Sequence, residues 1–148
     1  MFKGHYINSI NEKGRLSIPS KFRDDLSSGS VDRLIITKQL IDGCLVVYAP
    51  GQWEKIEQKA STLSGVDKAA IIFKRHVVGS AEECQIDAQG RVLIPSTLRD
   101  YAGLKKKCLF VGLADHFEIW DQDRYDGVMK EAFDVPENLR EELARLGL

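Results

Sequence analysis

Asn11-Glu12-Lys13-Gly14-Arg15-Leu16-Ser17-Ile18-Pro19-Ser20-Lys21-Phe22-Arg23-Asp24 returns 76 residues later as Asp87-Ala88-Gln89-Gly90-Arg91-Val92-Leu93-Ile94-Pro95-Ser96-Thr97-Leu98-Arg99-Asp100. Gly14/Gly90, Arg15/Arg91, Ile18/Ile94, Pro19/Pro95, Ser20/Ser96, Arg23/Arg99 and Asp24/Asp100 are identical, and apolar positions match apolar ones. A repeat of this length indicates duplicated architecture. Each copy reads as the same unit. Glycine after a polar run permits a turn with positive φ. Leu16 and Ile18, like Val92 and Ile94, alternate with Ser17 and Leu93 as in a short strand. Proline ends the strand, and the following Ser-Lys-Phe-Arg or Ser-Thr-Leu-Arg starts a short helix. Each unit is turn, strand, helix, with one arginine beside a glycine turn.

Outward from the repeat, residues 5–10 read as a strand leading into the first turn, and Ser27-Ser28-Gly29-Ser30 as a loop after the first helix. Residues 33–38 and 44–48 are β-branched strands turning at Asp42-Gly43. Residues 52–63 have helical apolar spacing (Trp53, Ile56, Ala60, Leu63), and 66–75 form a second central helix. The second copy follows, with strands at 82–86, 92–94, 107–112 and 116–120 and a helix at 96–101. Tyr48 and Trp53 have the spacing of Trp120 and Tyr125, so the trailing helices correspond too. Asp121-Gln122-Asp123 starts one last helix, and Val135-Pro136-Glu137 starts another that runs to Leu146, patterned for packing.

Half of such a chain, with so small a sheet, cannot bury both faces alone. The expectation is α+β: two half-domains sharing one core in a closed or partly closed barrel. The boundaries are residues 5–50 for the first unit, 51–79 for connecting helices, 80–123 for the second unit and 124–148 for C-terminal helices.

The 148 residues suffice for one ordinary domain, and 43% hydrophobic with 29% charged residues fits a soluble globular protein. No apolar run approaches the ~20 residues of a membrane span. The N-terminus lacks the apolar region of a secretory signal, so a cytoplasmic protein is expected. Cys44, Cys84 and Cys108 are odd in number and widely spaced, which favours small buried thiols over zinc or disulfides. His5, His76 and His116 lack metal spacing, and no phosphate loop, nucleophile pair or carboxylate pair emerges. No enzyme, cofactor or small-molecule substrate is expected. The net charge of −1 conceals segregation: residues 3–23 carry five bases against Glu12, whereas residues 115–142 carry ten acids against three bases. One end suits a phosphate backbone and the other repels it.

The doubled motif resembles the MraZ family, bacterial DNA-binding regulators whose signature is a doubled Asp-x-x-x-Arg with Gly before the Arg. Met1-Phe2-Lys3-Gly4, Cys84-Gln85-Ile86-Asp87 and Ala102-Gly103-Leu104 with Phe117-Glu118-Ile119-Trp120-Asp121 extend the resemblance over nearly the whole chain. Two positions depart from it. Asn11 stands where the first motif has Asp, keeping the turn-capping oxygen without its charge, and Gln89 replaces a frequent Lys. The resemblance implies two AbrB-like (SpoVT-AbrB) units in a double-split, swapped-hairpin barrel with appended helices, assembled as a ring-shaped homo-oligomer. It also implies binding to short tandem repeats upstream of the division and cell wall gene cluster, hence association with the nucleoid.

An arginine held by a glycine turn can present its planar fork to guanine O6 and N7. Arg15 and Arg91 are therefore the leading DNA-reading candidates, with Gly14 and Gly90 forming their turns. Lys13 suits phosphate, and Gln89 is its counterpart in the second loop. Lys3, Lys21, Arg23 and Arg99 rank behind them. Against this, Arg15 and Arg91 could fasten the barrel through ion pairs, and Arg23 and Arg99 each stand beside an aspartate. Tyr48, Trp53, Trp120 and Tyr125 suit core or interface packing, and Lys105-Lys106-Lys107 a solvated turn. The competing functions are a ring-forming scaffold and an antitoxin whose acidic C-terminal helices clasp a toxin.

Overall fold

The fold is described from a computed structural model covering residues 1–27, 30–132 and 137–148. It is α+β, with eight strands and six α-helices among these residues. Their order is β1 (His5–Ser9), β2 (Arg15–Ser17), α1 (Ser20–Ser27), β3 (Arg33–Lys38), β4 (Leu45–Tyr48), α2 (Pro50–Ser61), α3 (Lys68–Phe73), β5 (Glu82–Gln85), β6 (Arg91–Leu93), α4 (Ser96–Ala102), β7 (Lys107–Gly112), β8 (Phe117–Asp121), α5 (Gln122–Ala132) and α6 (Leu139–Arg145). The loop read at Ser28-Gly29 and the helix start read at Val135-Pro136 lie outside the described residues.

The halves interlock strand by strand. One antiparallel sheet runs β1-β7-β8-β4-β3-β5, and a second consists of β2 and β6 alone. Thus β1 pairs with β7 from the other half, and β5 pairs with β3. The registers follow a pseudo-two-fold. Asn8 opposes Cys108 as Cys84 opposes Leu34. Val46 faces Glu118 at the centre of β4–β8, and Leu16 faces Val92 at the centre of β2–β6. Each half therefore completes its hydrogen-bonded ladder with the other's strand, which answers the problem of a sheet too small to bury itself.

The inward residues of both halves make one core, including Leu16, Ile18, Phe22, Val92, Ile94 and Leu98 from the duplicated motif. Phe22 is fully buried and is surrounded by the rings of Phe2, Tyr6, Phe110 and Phe117, with centroids 4.7–6.3 Å away. Burying such a side chain contributes roughly 1.5–3 kcal/mol by area alone. Two satellite clusters repeat the pseudo-symmetry. Trp53 of α2 packs on Ile35 and Val77, beside Tyr48. Trp120 packs on Cys44, Leu109 and Val111, edge-on to Tyr125. The matched aromatics thus fasten the trailing helices to the sheet.

Two elements differ from expectation. The second central helix changes after Phe73 into a wider π-helical turn over Lys74–Val78. In this last turn the Val77 carbonyl accepts from the buried Thr37 hydroxyl at 2.5 Å. Sequence periodicity carries no trace of that exchange. The C-terminal helix forms at Leu139–Arg145, but Leu139, Leu143 and Leu146 stay exposed rather than packed. A three-leucine stripe needs a facing apolar surface, and this single chain gives it none among the described residues.

Candidate nucleic-acid interface

Both loops fold by the same short-range chemistry. The Asn11 side-chain Oδ1 accepts from the Lys13 and Arg15 backbone N–H groups at 3.0 and 2.9 Å. Asp87 Oδ1 accepts from Gln89 and Arg91 at 2.9 Å each. An Asx side chain that mimics a turn carbonyl suits this role. The Gly14 and Gly90 N–H groups close the turns onto the Asn11 and Asp87 carbonyls, at 3.0 and 2.9 Å.

Glycine is required twice over in these turns. Gly14 and Gly90 have φ of +90° and +77°, where an L side chain is strained. A methyl group on Gly14 would stand 2.7 Å from Arg99 Nε, and one on Gly90 2.5 Å from a terminal nitrogen of Arg23. Each loop is therefore roofed by the helix arginine of the opposite half. Arg23 Nε donates to the Ile18 carbonyl at 3.0 Å and Arg99 Nε to Ile94 at 2.9 Å. Ile18 N–H donates to Gly90 O and Ile94 N–H to Gly14 O, at 2.9 and 2.8 Å. Arg23 and Arg99 thus brace the paired loops through strand carbonyls. The helix register shows that an arginine lies there, but only the tertiary fold shows what it covers.

Between the loops lies the β2–β6 ribbon. Leu16 and Val92 point into the core. Because side chains alternate along a strand, Arg15, Ser17, Arg91 and Leu93 share the outer face. Arg15 opposes Leu93 and Ser17 opposes Arg91, so the two arginines lie diagonally, about 7–8 Å apart. A two-stranded ribbon of this kind fits a DNA major groove. Leu93 is 51% exposed on this face, opposite Arg15. Sequence reasoning read it only as a strand position; its signal was an apolar residue out of phase with its buried neighbours.

The two arginines differ in what holds them. Arg91 Nε meets Asp87 Oδ2 at 3.2 Å. The backbone N–H of Arg91, that of Gln89 and the Arg91 side chain hold the Asp87 carboxyl below its ordinary range. The Asn11 amide has an NH2 group where Asp87 has its second oxygen, and no hydrogen-bond or ion-pair partner holds the Arg15 guanidinium among the described residues. Lys13 and Gln89 are exposed on their loops. Lys3 and Lys21 meet elsewhere: they line a cleft of about 200 Å³ with Tyr6, Asp24 and Asp25 that holds neither Lys13 nor Arg15.

Other chemistry is sparse among the described residues. No three His, Cys, Asp or Glu converge to hold a metal. The three cysteines are buried and unpaired. Burial, reinforced by neighbouring carboxylates, pushes the Cys84 and Cys108 thiols up to about 11 and about 12 and raises Cys44 further still. Among the described residues no helix is long and apolar enough to cross a membrane.

Two interlocked copies of a loop–strand–helix unit, raising paired arginines on a shared ribbon, define a duplicated α+β protein organised around one solvent-facing surface. The family model described as "MraZ protein, putative antitoxin-like" matches residues 1–76 and again 77–146. A protein named transcriptional regulator MraZ from Desulforapulum autotrophicum is 40% identical, with all of both chains covered. Proteins of the same name from Syntrophobacter fumaroxidans and Ligilactobacillus salivarius are 42% and 41% identical, covering 99% and 94% of this chain and 97% and 96% of theirs. The chain belongs to the MraZ family.

Proposed function

We propose that this protein is a sequence-specific, DNA-binding transcription regulator that reads short tandem promoter repeats, those of the division and cell wall gene cluster. The observation that carries the reading is the outer face of the β2–β6 ribbon, where Arg15 and Arg91 stand diagonally above two buried apolar residues. The relatives' name, transcriptional regulator, supports the same class. Arg15, free of ion pairing among the described residues, reads a guanine edge, and Arg91 reads a second once it leaves Asp87. Lys13 contacts phosphate.

In this reading residues 5–50 and 80–123 are AbrB-like units whose strands wrap as a double-split barrel, with residues 51–79 and 124–148 as appended helices. A single ribbon binds weakly. Subunits in a ring present ribbons in series to repeated sites and gain from effective concentration. The exposed leucines of α6 are a surface for such assembly. The protein works in the cytoplasm on the nucleoid and carries out no catalysis.

The test is a gel-shift titration with the promoter DNA of the division cluster, comparing wild type with Arg15→Ala and Arg91→Ala while oligomer size is followed by light scattering. Loss of a bidentate guanine contact weakens specific binding ~5- to 150-fold. The expected result is a loss in that range for Arg15→Ala with size unchanged. Wild-type binding by both variants would mean that the arginines are structural. Loss of assembly instead would favour a scaffold.

A further inference from the structure

The pseudo-two-fold that relates the loops does not relate the charges beside them. The strand entering the first loop is followed by Ile10, whose N–H donates to the Lys106 carbonyl at 2.8 Å, and Ser9 is in register with Lys107. The turn Lys105-Lys106-Lys107 therefore lies alongside the chain that leads into Asn11, Lys13 and Arg15. At the equivalent place in the other half, Ile86 N–H donates to the Asp32 carbonyl, also at 2.8 Å, and Gln85 is in register with Arg33. Val31-Asp32-Arg33 thus holds the position of the lysine run.

In the first loop and the turn paired with it, residues 11–15 and 105–107, Lys13, Arg15, Lys105, Lys106 and Lys107 stand against Glu12 alone in sequence, whereas in residues 87–91 and 31–33 Arg33 and Arg91 stand against Asp32 and Asp87. The Arg33 guanidinium is already occupied, at 3.2 Å from Glu83 and 3.7 Å from Asp32. All three lysines are exposed, and none makes an ion pair among the described residues.

We propose that Lys105, Lys106 and Lys107 form a phosphate-binding flank for the duplex on the first-loop side alone, so that each ribbon grips DNA with a fixed polarity. The inference rests on the DNA-binding reading and adds to it. Exposed ammonium groups on flexible stems suit phosphate as point charges, and each phosphate neutralised releases counterions. The carboxylates beside the second loop repel the same backbone. The strand that passes the first loop is held by several charges, and the strand that passes the second by few.

The experiment uses the full-length chain with duplexes carrying one promoter repeat or a scrambled repeat. Binding is measured from low to physiological salt for wild type, the triple variant K105Q/K106Q/K107Q, the triple variant K105R/K106R/K107R, R33Q and R15A. Each lost phosphate contact lowers the slope of log K against log salt by about 0.9. For the glutamine triple, the slope should fall by about 1.8–2.7. Affinity for the repeat and the scrambled duplex should fall by the same factor. The arginine triple should retain the wild-type slope, and R33Q should change it little. Phosphate ethylation interference should lose its protections on one side of the guanine read by Arg15 only. A glutamine triple with a wild-type slope overturns the flank while leaving the regulator reading intact. If R15A binds the repeat as well as wild type does, the regulator reading itself fails. A wild-type protein that binds neither duplex overturns both.

Discussion

Asp87→Asn converts the second loop to the chemistry of the first. The turn should survive, because Asn retains the Oδ1 that accepts from Gln89 and Arg91, as Asn11 does from Lys13 and Arg15. What disappears is the 3.2 Å contact that ties Arg91 Nε to Asp87 Oδ2. Exposed pairs of this kind shift an equilibrium by a factor of about 1.4 to 5, which sets how strongly Arg91 is withheld from a guanine. Removing the carboxylate also removes a charge that repels phosphate. Asp87→Asn should therefore tighten binding to the promoter repeat about 1.4- to 5-fold at low ionic strength, with the gain shrinking as salt rises. The reciprocal Asn11→Asp should tether Arg15 and weaken binding to a similar extent, and the double variant should return near wild type. Fluorescence anisotropy with a single-repeat duplex resolves these differences. Weaker binding by Asp87→Asn would refute the argument, since Asp87 would then be aiming Arg91 rather than holding it back.

Acidification tests the same contact. The Asp87 carboxyl is held low, so its stabilising effect is complete above the ordinary carboxylate value of 3.8 and is lost as pH falls through its folded value. The Arg91 Nε resonance should shift in that acid range in wild type and stay still in Asp87→Asn. Gly90→Ala forces a side chain to +77° and displaces Arg23 from over the loop. A cost of about 2 kcal/mol or more should follow and lower Tm by several degrees, whereas Gly65→Ala, with open space around it, should change Tm little. Phe22→Ala should cost about 3–5 kcal/mol in denaturant titration, because five aromatic rings share that part of the core. With the Cys84 and Cys108 thiols raised to about 11 and 12, an alkylating reagent at neutral pH should label the native protein slowly and the denatured protein at three sites.

The duplicated motif made most of the fold legible. Strands 33–38 and 107–112 end where periodicity places them, and the 76-residue offset brings Arg15 and Arg91 to matched positions. Which strand pairs with which was a different matter. Nothing local in His5–Ser9 says that its ladder partner is Lys107–Gly112 rather than Arg33–Lys38, since both are β-branched or apolar strands of equal length. The lysine run has only the local pattern of a solvated turn for the same reason: its place beside the first loop follows from that cross-pairing. The positive φ of the two loop glycines follows from turn chemistry, but the arginine roof over each comes from residues 85 and 67 positions away, Arg99 and Arg23. The π turn at Lys74–Val78 carries the carbonyl that accepts from Thr37, a residue forty positions upstream of Val77.

The interleaving of β1 with β7 and of β5 with β3 has a consequence for how recognition can evolve. An equivalent body assembled from two identical chains would have to carry the same residue at both loops, and any substitution would appear twice. Covalent fusion of the halves lifts that constraint while the shared core keeps them in register. Asn11 can part from Asp87, and Lys106 from Asp32, without either change being copied across the axis. A symmetric dimer can favour only symmetric targets. A fused one can acquire a head and a tail, and with them the capacity to tell which way along the DNA it is facing.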